Sequence, residues 1–494
     1  MKEIFPNTIN INTIKCYQIK DGFSCTKSRI KCQNFGEWCR DLPKTLKELS
    51  IQSISDNWED NPLLDEICSP EDRCILLNIL PTNLPLCITV PIINDNFYWK
   101  KSALERWPHL MPTNVTECDM FTFPSKAIEK KSFDCDDENI SDTSLYTENS
   151  SEKTGVFTET KSWKQYYLEN HIKEYLEKLQ PEEYDPEEMK KICDICGPFV
   201  KSLQIEELRR ADKDGCRIPI GSVLSGLPKL QELSICFKEK YIGFENFNWS
   251  VIHPSARDIK NLAKGLEKTK LLTVRILNSG LERNECIPIL NSLRKYDNLN
   301  ILDFSYCSLG NEGTISLCRF IREMSVKELS LIDNNIGDEG AEAIAFVLHN
   351  HECTLRYLNV RMNPIGSRSG NLILESVLFN RNLKILDLSA CNIGFQEAIG
   401  KVLRKSSSLQ ELYLSNNPIG NEVGNVILNC LNFNKTLRKI DLRMCNIHSE
   451  LQHKINEKIK GVAESSILKF LEEDESEPEF SDKCRKHFEG SFEE

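Results

Sequence analysis

The sequence has no long apolar run and no leader of the secretory type. No stretch approaches the roughly 18 consecutive apolar residues that a membrane-spanning helix needs. Residues 1–12 are polar and asparagine-rich, without the apolar stretch of a signal peptide. These absences predict a protein of the cytosol, or of a structure that faces it, with no membrane partner.

Motifs of nucleotide-binding and catalytic sites are also missing. The glycines form neither GxxxxGK[ST] nor GxGxxG, so a nucleotide site is not supported. None of the eight histidines stands beside a cysteine or serine in a context typical of nucleophilic catalysis. We therefore predict no enzymatic activity and no cofactor.

The cysteines lack the framework of a disulfide-rich protein. There are 21 of them, an odd number, scattered without a repeating pattern through a long chain, which favours reduced and mostly buried thiols. Cys193 and Cys196 have the CxxC spacing of zinc and redox motifs, but a single pair on a predicted helix is more typical of packing. The first four cysteines are spaced nine, seven and seven residues apart, which matches no common zinc site: Cys16, Cys25, Cys32 and Cys39. We predict no metal.

The net charge of −12 is concentrated in two segments. Residues 114–160 contain eleven acids against four lysines, and residues 471–494 contain ten acids against three bases. The remainder of the chain is therefore nearly neutral, at about +2. This balance argues against a dedicated nucleic-acid surface, although it leaves room for a local basic patch.

A chain of 494 residues is too long for one hydrophobic core. Shifts in composition predict a poorly ordered start, a small helical domain, an acidic linker, a helical segment that packs on the repeats, a repeat domain and an acidic tail. The boundaries are 1–41, 42–109, 110–160, 161–225, 226–460 and 461–494.

A leucine-rich repeat of the form LxxLxLxxN/CxL recurs through the second half of the chain. Its copies are 26 to 29 residues apart, and their first residues are Leu271, Leu299, Val326, Leu355, Leu383, Leu409 and Leu437. Apolar residues at helical spacing fill the second half of each copy. The fold class is therefore α/β: a long-class, ribonuclease-inhibitor-like leucine-rich-repeat solenoid preceded by a small helical domain. We expect its first strand near Leu230, followed by an insertion.

The repeat predicts how the stack is held together. No single copy can bury its leucines alone, so each covers the next and the strands form one concave parallel sheet. The N/C position turns inward, where an asparagine satisfies backbone groups that would otherwise lack partners. Cysteine takes this position in three copies, at Cys307, Cys391 and Cys445.

The outward-pointing strand residues are candidates for contact with a partner. Solvated strand residues are polar in any solenoid, but an exposed curved sheet is also where such proteins hold their ligands. The predicted protein-binding residues of the concave face are Arg275, Asp303, Ser330, Asn359, Arg361, Asp387, Tyr413, Asp441 and Arg443.

The residues before the repeats carry a family resemblance. Leu84-Pro85-Leu86, Thr89, Ile93, Tyr98-Trp99 and Arg106-Trp107-Pro108 resemble a pattern of the dynein regulatory complex subunit 5 family. The stretch Trp163 to Gln180 and the motif Phe247-Asn248-Trp249 are similar to that family as well. The resemblance extends from about Leu46 to Ile447, whereas the acidic linker and tail depart from it.

The resemblance implies a subunit of the nexin–dynein regulatory complex in the axoneme of motile cilia and flagella. Its implied partners are other subunits of that complex and, through them, doublet microtubules and dyneins. Two alternatives come from repeats of the same class. One is a GTPase-activating protein of the Ran-regulator type, which also combines long repeats with an acidic tail, and the other is a generic cytosolic adaptor.

Overall fold

The computed structural model describes residues 45–110, 160–211, 215–239, 253–394 and 397–474. They divide into two compact units, one up to Leu80 and the other from Pro81 onward. The helices predicted as one domain over residues 42–109 therefore lie in both units. The predicted poorly ordered start, nearly all of the predicted linker and the tail beyond Asp474 lie outside the described residues.

The described part of the first unit contains two capped helices, α1 (Leu46–Asp56) and α2 (Pro70–Ile79). The Thr45 hydroxyl accepts a hydrogen bond from the Glu48 N–H, and the Glu48 carboxylate accepts one from the Thr45 N–H, at 3.2 and 2.7 Å. This reciprocal capping box satisfies two amide groups that the first turn would leave without partners. At the start of α2, the Ser69 hydroxyl accepts a hydrogen bond from the Asp72 N–H, and a proline occupies the first turn.

The second unit is built on one parallel sheet of nine strands that pair in chain order. The strands are β1 (Ser202–Ile205), β2 (Glu232–Cys236), β3 (Thr273–Leu277), β4 (Ile301–Asp303), β5 (Glu328–Ser330), β6 (Tyr357–Asn359), β7 (Ile385–Asp387), β8 (Glu411–Tyr413) and β9 (Lys439–Asp441).

Helices precede the sheet and connect its strands. They are α3 (Leu86–Ile92), α4 (Asn96–Arg106), α5 (Trp163–Lys178), α6 (Pro186–Cys196), α7 (Ile220–Ser225), α8 (Ala256–Leu266), α9 (Arg283–Leu293), α10 (Gly310–Glu323), α11 (Asp338–His349), α12 (Gly366–Val377), α13 (Glu397–Lys405), α14 (Gly420–Leu431) and α15 (Ser449–Asp474).

A column of buried leucines runs through the stack. The central residue of each strand pairs in register with the same residue of the next, as Leu329, Leu358 and Leu386 show. These side chains are at most 2% exposed, so each repeat completes the core of its neighbour. The predicted solenoid is confirmed.

The N/C position behaves as predicted. The Asn334 amide accepts hydrogen bonds from the Cys307 and Leu309 N–H groups of the preceding repeat, at 3.1 and 3.3 Å. Where cysteine replaces asparagine, the thiol donates to a carbonyl of the preceding repeat, as Cys391 does to Val360 at 3.2 Å. Both residue types therefore tie one repeat to the one before it, but asparagine satisfies more backbone groups.

The sheet begins one strand earlier than the sequence predicted. Strand β1 pairs with β2, so the expectation of a first strand near Leu230 was wrong. The residues around β1 follow the repeat spacing, as Val200, Leu203 and Ile205 show, and all three are buried. Leu208 stands where the asparagine or cysteine would be, and this departure concealed the copy.

Helix α5 covers the open edge of the first strand, and the tryptophan-rich segment packs on α5. Trp99 packs against Tyr167 of α5 with ring centroids 5.2 Å apart, and Lys164 of α5 donates hydrogen bonds to the Val90 carbonyl and to Asn94. The Glu169 carboxylate of α5 accepts hydrogen bonds from the N–H groups of residues 201 and 202, at the start of β1, at 3.1 and 2.8 Å. A solenoid needs such caps, because its terminal repeats have no neighbour.

The other end of the stack is covered by α15. Ile455 and Ile459 are buried, and the helix packs on α14 close to Gly424. A Cβ atom at Gly424 would lie 2.8 Å from the Leu451 side chain, so glycine allows this close approach.

Candidate protein-binding surface

Seven of the nine predicted surface residues stand in one row across the sheet. Strand pairing places one residue from each of seven neighbouring strands in continuous register. The row contains Arg275, Asp303, Ser330, Asn359, Asp387, Tyr413 and Asp441. Arg361 and Arg443 follow the row by two residues on their own chain segments. The predicted residues therefore form one continuous polar surface.

The members of this row differ in exposure. Arg361 and Arg443 are exposed, and most of the row is half-buried. Asn359, which we expected to be solvated, is buried at 7% exposure. Its amide donates to the Tyr357 hydroxyl and accepts from the Arg361 N–H, at 3.0 and 3.1 Å, so its polar atoms are used within the protein. Asn359 is therefore a weaker contact residue than its neighbours.

The acids of the row are held in two ways. Burial raises the pKa of Asp303 and of Asp387, although hydrogen bonds from Ser305 and Ser389 oppose the rise. Burial would also raise the pKa of Asp441. Hydrogen bonds from Nε and Nη2 of Arg443 to this carboxylate outweigh that effect, and the pKa of Asp441 is lowered. The two acids at the centre of the sheet are thus held by neighbouring serines, and the acid of the last strand is held in an ion pair.

A second row on the same face was missed from the sequence. It lies two residues before the first row, and its members are Thr273, Ile301, Glu328, Tyr357, Ile385, Glu411 and Lys439. Residues i and i+2 of a strand face the same side, so the spacing itself contained this signal. Tyr357 and Tyr413 place half-buried aromatic rings on this face. The partial burial of Tyr357 raises the pKa of its hydroxyl to about 12.

The CxxC pair lies in the core. Cys193 and Cys196 are 3% and 0% exposed on α6, and burial raises their thiol pKa values to about 11 and about 12. Both thiols are therefore held in the neutral form among core side chains. Packing against Gly226 explains Cys193, because a Cβ atom there would lie 2.7 Å from the Cys193 Cβ. The burial of both side chains agrees with the packing interpretation.

Two features are absent from the described residues. No group of three histidine, cysteine or acidic side chains there has the geometry of a metal site. None of the described helices combines the length and apolarity needed to cross a membrane. The four N-terminal cysteines and the motif at residues 247–249 lie outside these residues.

A small cavity of about 260 Å³ opens beside α5, and none of its lining residues belongs to the sheet. Its lining includes His171, which accepts a hydrogen bond at Nδ1 from Arg106 at 2.9 Å and stacks on Tyr167. The same arginine forms an ion pair with Glu174 at 2.7 Å. Burial, together with the arginine charge, lowers the pKa of His171 to about 4.

This histidine should make the stability of the protein depend on pH. Its pKa is about 4 when folded and about 6.5 in the unfolded chain, so the unfolded state binds the proton first as the pH falls. We expect the free energy of unfolding to drop by about 1–2 kcal/mol between pH 7 and pH 5 through this group. Urea denaturation of His171→Gln at both pH values should show a smaller drop. The control variant His453→Gln removes an exposed histidine and should keep the full decrease in the free energy of unfolding between the two pH values. An equally reduced decrease in this control would contradict the assignment to His171.

Comparisons with known proteins agree with the fold. The family model described as Leucine Rich repeat matches residues 298–318, 324–345, 351–371, 379–394 and 405–422. Dynein regulatory complex subunit 5 of Macaca fascicularis is 24% identical over 64% of this chain, and that of Homo sapiens is 24% identical over 56%. The ribonuclease inhibitor of Mus musculus is 25% identical over 37% of this chain and 48% of its own length.

The matches to dynein regulatory complex subunit 5 cover part of those proteins. The chain spans 58% of the macaque protein and 51% of the human one. The matched share of this chain exceeds that of the five repeat matches. These comparisons confirm the predicted resemblance, and the chain is a leucine-rich-repeat protein related to the dynein regulatory complex subunit 5 family.

Proposed function

We propose that this chain is a non-enzymatic scaffold subunit of the nexin–dynein regulatory complex in the axoneme of motile cilia and flagella. There it would bind other subunits and, through them, doublet microtubules and dyneins. The observation that carries the proposal is the continuous row of polar residues on the concave sheet of a chain similar to dynein regulatory complex subunit 5. A surface assembled from seven neighbouring strands is large enough to hold a protein segment.

The surface is suited to a structural role. Its backbone is fixed by the strand ladder and by the buried N/C positions, so little conformational entropy is lost when a partner docks. Helices cover both ends of the stack, and the connecting helices pack against one another along it. The concave face is therefore the sheet surface that remains accessible. A rigid and preorganised surface is appropriate for a component that bears load at each ciliary beat.

Location tests the proposal directly. Isolated motile axonemes should retain the full-length protein after detergent treatment and release it only with salt, as detected by immunoblotting of each fraction. Finding the protein only in the soluble fraction, or only at the nuclear envelope, would contradict the proposal. For the GTPase-activating alternative, purified protein added to Ran should leave the rate of GTP hydrolysis unchanged.

The concave face can be tested in the same assay. Arg361→Glu reverses an exposed charge on this face, whereas Arg319→Glu reverses an exposed charge on helix α10. We expect the first variant to leave axonemes at a lower salt concentration than the second, because only the first disturbs the proposed contact. Equal release of both variants would mean that the partner binds elsewhere.

A further inference from the structure

The edge of the sheet where the strands begin carries a row of basic side chains. The residue that precedes each strand is lysine or arginine in four of the last five repeats. These residues are Lys327, Arg356, Lys384 and Arg438, with Gln410 between the last two, and we call the four cations the basic rim. All four cations are exposed.

Backbone hydrogen bonds hold the rim in register. The Arg356 N–H donates to the Lys327 carbonyl at 2.7 Å, and the Lys384 N–H donates to the Arg356 carbonyl at 2.8 Å. The ladder continues through Gln410 to Arg438, at 2.7 Å in each step. With strands roughly 4.8 Å apart, the row extends over roughly 19 Å.

None of the four rim cations forms an ion pair within the described part of the chain, although the charge of Lys327 acts on neighbouring Glu328. Among those residues, no carboxylate lies within 4 Å of any of the four cations, whereas nearby Arg294 is bound to Glu323 at 2.9 Å. The loops leading into the strands add further exposed bases, at Arg381 and Lys435. In the last five repeats, the loops before the strands and the first strand residues together carry seven bases against three acids, Glu328, Glu352 and Glu411. The local charge is therefore positive, although the whole chain carries −12.

Buried asparagine side chains hold the two loops that precede Lys384 and Arg438. The buried Asn380 amide accepts hydrogen bonds from the N–H groups of Asn382 and Leu383, both at 2.8 Å. Asn434 does the same two repeats later, toward residues 436 and 437. Each loop also exposes a phenylalanine, Phe379 at 54% and Phe433 at 67%. The rim is thus a preorganised row of cations with apolar side chains beside it, which lowers the entropy lost on binding.

We infer that the basic rim binds a glutamate-rich segment of a partner protein. An extended segment of about eight residues spans roughly 27 Å, enough to cover the row. The opposite edge of the sheet and the adjoining helix starts carry several acids, among them Glu312, Asp333 and Asp338, and these repel a long nucleic acid. The seven acids of this chain's own residues 475–494 are interrupted by Lys483, Arg485 and Lys486, so an uninterrupted acidic segment is the better complement. This site is separate from the concave face and does not depend on the axonemal role.

The binding can be measured with the full-length protein and a fluorescein-labelled peptide of eight glutamates, by fluorescence anisotropy. The test variant is Lys327→Gln/Arg356→Gln/Lys384→Gln/Arg438→Gln. The matched control removes four exposed helix cations, as Lys260→Gln/Lys264→Gln/Arg319→Gln/Lys454→Gln, and therefore has the same net charge. We expect the rim variant to raise the Kd roughly 30-fold and the control to change it less than threefold. The half-rim variant Lys327→Gln/Arg356→Gln should give an intermediate loss.

Three results would overturn the inference. Equal weakening in the rim and control variants would mean that only the net charge matters. Tighter binding of an eight-nucleotide single-stranded RNA than of the glutamate peptide would assign the rim to nucleic acid. A gain in peptide affinity of tenfold or more on deletion of residues 475–494 would mean that the chain's own acidic end covers the rim.

Discussion

Replacing Leu358 with aspartate should unfold the repeats on both sides of strand β6. Leu358 is fully buried in the middle of the leucine column, between Leu329 and Leu386. The substitution removes a core side chain, at a cost of about 2–5 kcal/mol, and places a carboxylate where no cation can reach it, which adds several kcal/mol. The sum is comparable with the entire stability of a typical domain, about 5–15 kcal/mol.

Hydrogen exchange followed by mass spectrometry measures this loss locally. Protection should fall first in the peptides that contain β5, β6 and β7, because each repeat contacts only its neighbours. Leu358→Met keeps the volume and should cost less than about 1.5 kcal/mol. Unchanged protection in the aspartate variant would contradict the interlocked core.

Replacing Asn334 with alanine should produce the second large loss. Besides the two N–H groups of the preceding repeat, its amide serves two carbonyls, Phe304 at 2.7 Å and Ile332 at 3.2 Å. Alanine leaves these buried groups without their partner, and each such group costs about 1–3 kcal/mol. We expect a decrease in the free energy of unfolding of about 3–5 kcal/mol, because neighbouring groups partly compensate.

The equivalent cysteine position provides the comparison. Cys391 is as buried as Asn334, but its thiol donates only weak hydrogen bonds, to Val360 and Ser389. Cys391→Ala should therefore cost only about 1 kcal/mol. The two variants can be compared by their midpoints in urea denaturation. Equal shifts would mean that the asparagine contributes through its volume alone.

The repeats could be predicted well because their signal is local and repeated. One copy places its leucines, its N/C position and its helix within about 28 residues, and seven copies reinforce one another. The inward orientation of Asn334 and Cys307 followed from the same spacing. The row of surface residues also followed, since side chains alternate along a strand.

Other features depended on contacts that the spacing does not encode. Strand β1 was concealed because Leu208 replaces the signature residue, although its burial is that of a repeat. The position of Asn359 in its strand predicts a solvated side chain, but its amide donates a hydrogen bond to the neighbouring Tyr357 hydroxyl. The tryptophan-rich segment indicated a family, and the contact of Trp99 with Tyr167 shows how it contributes to the cap on the first strand.

The sequence by itself therefore determined the solenoid, its period and the residue types of its concave face, because each follows from the pattern within one repeat. The tertiary structure decided where the sheet begins, how its ends are covered, which polar side chains remain accessible and that four cations form one rim. Those properties depend on which residues different repeats and helices bring side by side. Lys327 and Arg438 are more than a hundred residues apart in the chain, and only the strand ladder makes them members of one surface.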